Sequence, residues 1–131
     1  LGEAYFGLGR GVDVLAFIYG RIGVGAGIVV NGQVFRGSGA GAGEIGHTII
    51  LPHGGERCRC GQNGCLETLV SEPVLLREAQ LLADENPNAL LAAKLNDREI
   101  SPIDAIFTAA HEGDQPTLSM IEAHMHYLGI A

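Results

Sequence analysis

The hydrophobic positions fall into two regimes. In the first fifty residues they form short β-branched and aromatic runs divided by glycine, and after Cys65 they recur at helical spacing. Residues 1–8 have the character of a helix tail, stopped by Gly9 and Gly11. A chain that opens inside a helix is expected to be a piece of a longer one. Residues 12–19 are an apolar run of strand length, and residues 24–30 a second, interleaved with Gly25 and Gly27. Asn31-Gly32 is a two-residue turn of the kind that needs positive φ, so residues 33–36 are predicted to return as a third strand. Residues 37–43 read as a glycine loop, 47–51 as a fourth strand and 52–64 as a loop without periodicity.

The second half reads as helices. Ser71 is a candidate N-cap, with Pro73 in the first turn and Leu75, Leu76, Ala79, Leu82 and Ala83 on one face. Asn86-Pro87 ends that helix, and residues 88–95 form a short one. Ser101-Pro102-Ile103-Asp104 combines a cap, a first-turn proline and an early acid, which predicts a helix to about Glu112. Gly113 closes it and Asp114 caps a last helix that is still running at Ala131. Strands followed by helices make an α/β chain. It is expected to be one partial domain: a sheet portion over 1–51, a loop over 52–67 and a helical portion over 68–131.

Composition narrows the picture. The chain has 131 residues, of which 47% are hydrophobic, enough for one core. No apolar run reaches the roughly 18 residues of a spanning helix, and no basic start precedes an apolar stretch, so neither a membrane anchor nor a signal peptide is expected. With 8 basic and 15 acidic residues the formal charge is −7, and no basic cluster exists. Such a chain is a poor non-specific binder of nucleic acid, and any DNA contact would have to come from elsewhere.

The strongest chemical signal is Cys58-Arg59-Cys60-Gly61-Gln62-Asn63-Gly64-Cys65. Three clustered thiols fit a metal site better than a disulfide framework. Gly61 and Gly64 permit the sharp turn that convergence requires. A tetrahedral zinc would need one more ligand, and both His47 and His53 lie upstream within reach. Four protein ligands leave no open position, so the site would be structural. A second signal is Glu44-Ile45-Gly46-His47, joined by Glu67 two residues after the last cysteine. Two carboxylates and an imidazole suit the hydroxyls of a sugar; equally, the two glutamates are ordinary capping and solvated residues. A third is Gly23-Val24-Gly25-Ala26-Gly27, which opens a hairpin rather than a helix and is no dinucleotide fingerprint. Alternating glycine on a strand admits either a phosphate or a neighbouring backbone. His124 and His126 lie on opposite faces of a helix and read as surface residues, and His111 sits favourably near a helix C-terminus.

The run from Gly39 to His47, followed by Cys58-x-Cys60-Gly61-x-x-Gly64-Cys65-Leu66-Glu67, resembles the ROK family of repressors, open reading frames and kinases. The likeness extends over essentially the whole chain. It implies an actin-like, ribonuclease-H-like ATPase fold and a cytoplasmic sugar kinase or sugar-responsive repressor, usually oligomeric. It further implies that His47, Cys58, Cys60 and Cys65 hold zinc, that Glu44, His47 and Glu67 contact a sugar, and that Gly23, Gly25 and Gly27 line a phosphate path. His47 would serve metal and sugar with different ring nitrogens. The Asn-Asp pair that supplies the family's catalytic base is absent from these 131 residues, as are the segments that hold ATP phosphates and adenosine, so the chain alone is not expected to phosphorylate a sugar. Family kinases also place a Thr where Ile22 stands. An aliphatic side chain cannot donate that hydrogen bond, which favours a sugar-sensing repressor over the alternative, an ATP-dependent sugar kinase.

Overall fold

The computed structural model describes residues 2–39 and 41–131; Leu1 and Ala40, which belong to the predicted helix tail and loop, lie outside it. A short helix α1 (Gly2–Phe6) leads into a three-stranded antiparallel sheet of β1 (Val14–Gly20), β2 (Val24–Val30) and β3 (Gln33–Val34), in that spatial order. β1 and β2 pair from Val14 opposite Val30 to Gly20 opposite Val24. Asn31 (φ 50°) and Gly32 (φ 74°) turn the chain with both central residues left-handed, matching the twist of the strands they join. β3 is only two residues long, against the four predicted. Phe35 still donates to the Ile28 carbonyl, but Gly37 then takes φ 66° and the chain leaves the sheet.

The predicted fourth strand over 47–51 does not form. Ile45–His47 is instead a 3₁₀ turn. The residues after it run beside the end of the cysteine loop and make one bridge, Ile49 opposite Cys65. The physical reason lies at Gly46, which packs so close to β2 that a Cβ would stand 2.2 Å from the Val24 carbonyl oxygen. The chain meets β2 there through a tight turn rather than a ladder.

A one-turn helix α2 (Glu67–Val70), not foreseen from the sequence, joins the loop to α3 (Glu72–Glu85). Ser71 occupies the N-cap position of α3, although its hydroxyl makes no cap bond. Then follow α4 (Leu90–Leu95), α5 (Pro102–His111) and α6 (Gln115–Ile130). Ser101 caps α5 through the Asp104 N–H, as the sequence implied. The helices enclose one cluster around Leu75, Ala79, Leu91, Ile106 and Ala109. A second, around Val24, Leu66 and Val70, joins sheet to helices. α6 contributes to both, through Met120 and Ile121 to the first and Met125 and Leu128 to the second. No helix is long and apolar enough to cross a membrane among the described residues.

His124 corrects the sequence reading. It is buried, with Nδ1 at the Leu69 carbonyl and Nε2 2.9 Å from Glu78 Oε2. One side chain of α6 therefore ties the C-terminal end of α2 to α3. His126, one side of the helix away, is exposed as expected.

Asp114 does more than cap α6. Its Oδ1 accepts from the Thr117 N–H (3.1 Å) and hydroxyl (2.9 Å), while Oδ2 accepts from the Leu91 N–H (3.3 Å) at the start of α4. Burial pushes this carboxyl up, but the donors at Thr117, Leu91 and Leu90 outweigh it and hold the group below its ordinary value. A depressed carboxyl stabilises the fold above its unfolded value and loses that contribution as pH falls through the folded one. Asp114→Ala should thus cost about 2 kcal/mol at neutral pH, two caps being lost together. Urea denaturation should show the penalty shrinking in acid, once the native carboxyl is itself protonated.

Candidate functional site

The sequence folds the cysteine loop back on itself. Cys58 N–H donates to the Gln62 carbonyl and Gly61 N–H to that of Cys58, closing a tight turn with Gly61 at φ 93°. Arg57 bridges Asn63, and the Ile50 and Leu51 N–H groups both reach the Gly64 carbonyl. These bonds bring Cys58, Cys60 and Cys65 against the 3₁₀ turn that carries His47.

The ligand atoms of His47, Cys58, Cys60 and Cys65 all lie within 4.8 Å of one another. Cys58 Sγ is 3.6 Å from His47 Nδ1, and Cys60 Sγ is 3.6 Å from Cys65 Sγ. A tetrahedron with metal–sulfur bonds of ~2.3 Å and a metal–nitrogen bond of ~2.0 Å has S···N edges of about 3.5 Å and S···S edges of about 3.8 Å. The group could therefore hold a metal ion. His53, the other candidate for the fourth ligand, is exposed and outside the group. All three cysteines are free, and Cys58 and Cys65 are buried. Burial first, and then the neighbouring thiols of Cys60 and Cys58, push Cys65 up to about 12. The Gln62 N–H lowers Cys60. A dication in the group would expel these protons.

With Nδ1 turned to the thiols, His47 presents Nε2 to Glu44, whose Oε2 is 3.9 Å away. Glu44 is exposed and His47 partly so. Glu67, two residues past Cys65 at the start of α2, is buried. Its Oε2 accepts from the Val24 N–H at 3.3 Å. Gly46 packs against the carbonyl of the same Val24. One residue of β2 thus positions both the His47 turn and the Glu67 carboxylate.

Sequence reasoning missed a cation here. Arg59, between two cysteines, covers Glu67 with Nε 3.0 Å from Oε1 and Nη2 3.1 Å from Oε2. Its partner is eight residues away, and only the fold of the loop brings the two together. The glycines of the predicted phosphate path are not equivalent. A Cβ on Gly23 would stand 2.7 Å from Glu67 Oε2 and 2.9 Å from Arg59 Nη2, so this position abuts the ion pair. Gly25 approaches the Gly43 carbonyl, and Gly27 faces open space.

Comparison with known proteins agrees with this architecture. The model of the ROK family matches residues 1–131. The chain belongs to the ROK family. It is 37% identical over its full length to a glucokinase of Halalkalibacterium halodurans, covering 40% of that protein. It is 38% identical over 115 residues, 88% of its length, to a xylose repressor of Caldicellulosiruptor bescii, covering 28% of that protein. The crystal structure of a ROK-family glucokinase from Streptomyces griseus, in complex with glucose and AMPPNP, superposes with a TM-score of 0.80 at 31% identity, over 98% of this chain and 42% of that one. The chain thus spans less than half the length of these relatives, which include both kinases and repressors.

The raised Cys65 thiol fixes the sign of a pH test. Without metal, its contribution to stability is complete below the ordinary value of 9.0 and is lost as pH rises toward about 12. With metal the thiolate is already formed, and protons compete for it as pH falls. Thermal denaturation should show the chelator-treated chain weakening in alkali and the metal-loaded chain weakening in acid. Loading with Co²⁺ should give tetrahedral thiolate absorption that Cys65→Ser abolishes.

Proposed function

We propose that the chain is the sugar-sensing, effector-binding part of a ROK-family transcriptional repressor. In this reading His47, Cys58, Cys60 and Cys65 hold a structural zinc, and Glu44, His47 and Glu67 receive the hydroxyls of a small sugar or sugar derivative beside it. Ile22 carries the choice between the family's two branches. It sits in the turn between β1 and β2, 78% exposed, directly before Gly23. It offers no hydroxyl to a phosphate where the resemblance puts a Thr in kinases. DNA contact would come through a domain outside these residues, in a cytoplasmic homo-oligomer. The second reading, an ATP-dependent sugar kinase with ATP phosphates along Gly23, Gly25 and Gly27, is favoured by the full-length match to a glucokinase.

Zinc bound by three thiolates and one imidazole supplies rigidity and charge neutralisation, and no reactive water. The chain's own residues do the recognition. His47 is oriented by its Nδ1 contact, so Nε2 points outward toward Glu44. Glu67 is oriented by the Val24 N–H and by its place two residues after Cys65. Loss of the metal would release the loop, and with it the direction of both groups. Structural zinc in small peptides is worth roughly 10–16 kcal/mol, ample to organise a loop of this length.

Elemental analysis of freshly purified protein should find about one zinc per chain. In the full-length protein, Glu67→Ala, by removing a charge-assisted hydrogen bond, and Cys58→Ser, by releasing the loop that orients Glu67 and His47, should each weaken sugar binding roughly ten- to a hundred-fold by calorimetry. A gel-shift assay with the protein's own promoter should show a complex that the sugar dissolves or strengthens. No shift, together with rapid ATP-dependent phosphorylation of the sugar, would transfer the assignment to the kinase branch.

A further inference from the structure

We propose that Arg59 sets the charge preference of the site, admitting neutral sugars and rejecting cationic amino sugars. The inference rests on the sugar-binding reading above and deepens it. Arg59 lies between Cys58 and Cys60, so its backbone is held wherever the thiol group is held. Its side chain is 67% exposed, yet its fork meets both oxygens of Glu67, which is only 10% exposed. An ionised carboxylate has about four acceptor positions. Arg59 fills two and the Val24 N–H a third. Glu67 in this state keeps room for about one hydroxyl, and its charge is cancelled where it stands.

The surroundings make that cancellation consequential. Glu44 adds a second carboxylate beside His47 Nε2. Three thiolates around a dication carry one further net negative charge. Without Arg59 the residues of the proposed site would carry a net negative charge that favours a protonated amine. With Arg59 in place, an ammonium group on the sugar meets a fixed guanidinium at the carboxylate it would otherwise pair with. Lysine could not reproduce the effect fully, since a point charge covers one oxygen and not both.

The test compares glucose, mannose and galactose with their 2-amino-2-deoxy counterparts, by calorimetry on the zinc-loaded full-length protein, below neutral pH and at low ionic strength. The unaltered protein should prefer the neutral member of whichever pair it binds. Arg59→Ala should shift the neutral-to-amine affinity ratio toward the amine by about ten-fold or more, and Arg59→Lys by less. Glu67→Gln, which removes the charge and keeps the shape, should shift the ratio the opposite way. Should Arg59→Ala fail to fold, Arg59→Gln reports the same ratio. An unchanged ratio in variants that still bind sugar overturns the role of Arg59 and leaves the sugar site standing. Binding of no sugar by the unaltered protein overturns the sugar reading and this inference with it.

Discussion

A strand at the centre of a fold must find partners for the hydrogen-bonding groups on both its edges. β2 has β1 along one edge for its whole length, but on the other only the two residues of β3. Two N–H groups farther along that side are met by the segments that carry the candidate site. Ala26 N–H donates to the Gly43 carbonyl at 2.7 Å, Val24 N–H donates to Glu67, and Gly46 lies against the Val24 carbonyl. The open edge of one strand is thus the surface on which the His47 turn, the cysteine loop and α2 assemble. Val24 is also apolar core, packed with Leu66 and Val70. The same residue serves hydrophobic packing with its side chain and site geometry with its backbone.

The thiol and imidazole group solves a related problem. Residues 48–64 form no sheet and bury little apolar surface of their own. Their order comes from a handful of turn bonds. Free thiols so close together, one of them buried enough to resist ionisation, are poor company until a cation joins them. The tight loop depends on glycine, with Gly61 and Gly64 both at positive φ.

Much of this was legible in the sequence, for identifiable reasons. Asn31-Gly32 fixes a hairpin by backbone stereochemistry alone, and β2 has the bounds its apolar run implied. Ser101 and Asp114 cap helices because their side chains reach N–H groups three residues ahead. Local rules of that kind read well. His124 defeated them, because its two partners stand 55 and 46 positions away and helical spacing cannot tell a buried polar face from a wet one. The turn at residues 45–47 was hidden for the same reason, since its shape answers to the carbonyl of Val24 on a distant strand. The spacing left His47 and His53 open as ligands; the family resemblance pointed to His47, and the fold brings His47 and not His53 to the thiols. Arg59 carried no signal at all, being one ordinary residue between two conspicuous ones.

The unequal spacing of the loop has an evolutionary consequence. Ten residues separate His47 from Cys58, and between them Pro52, His53 and Gly54 are exposed. Drift, and even insertions, can accumulate there while the four donors still meet. Between Cys65 and Glu67 there is only Leu66, fully buried. One residue inserted at that point would turn the carboxylate about 100° around the axis of α2 and carry it away from the Val24 N–H. Lineages descended from this chain are therefore free to reshape the outer lip of the loop and bound to preserve the length of its last three residues.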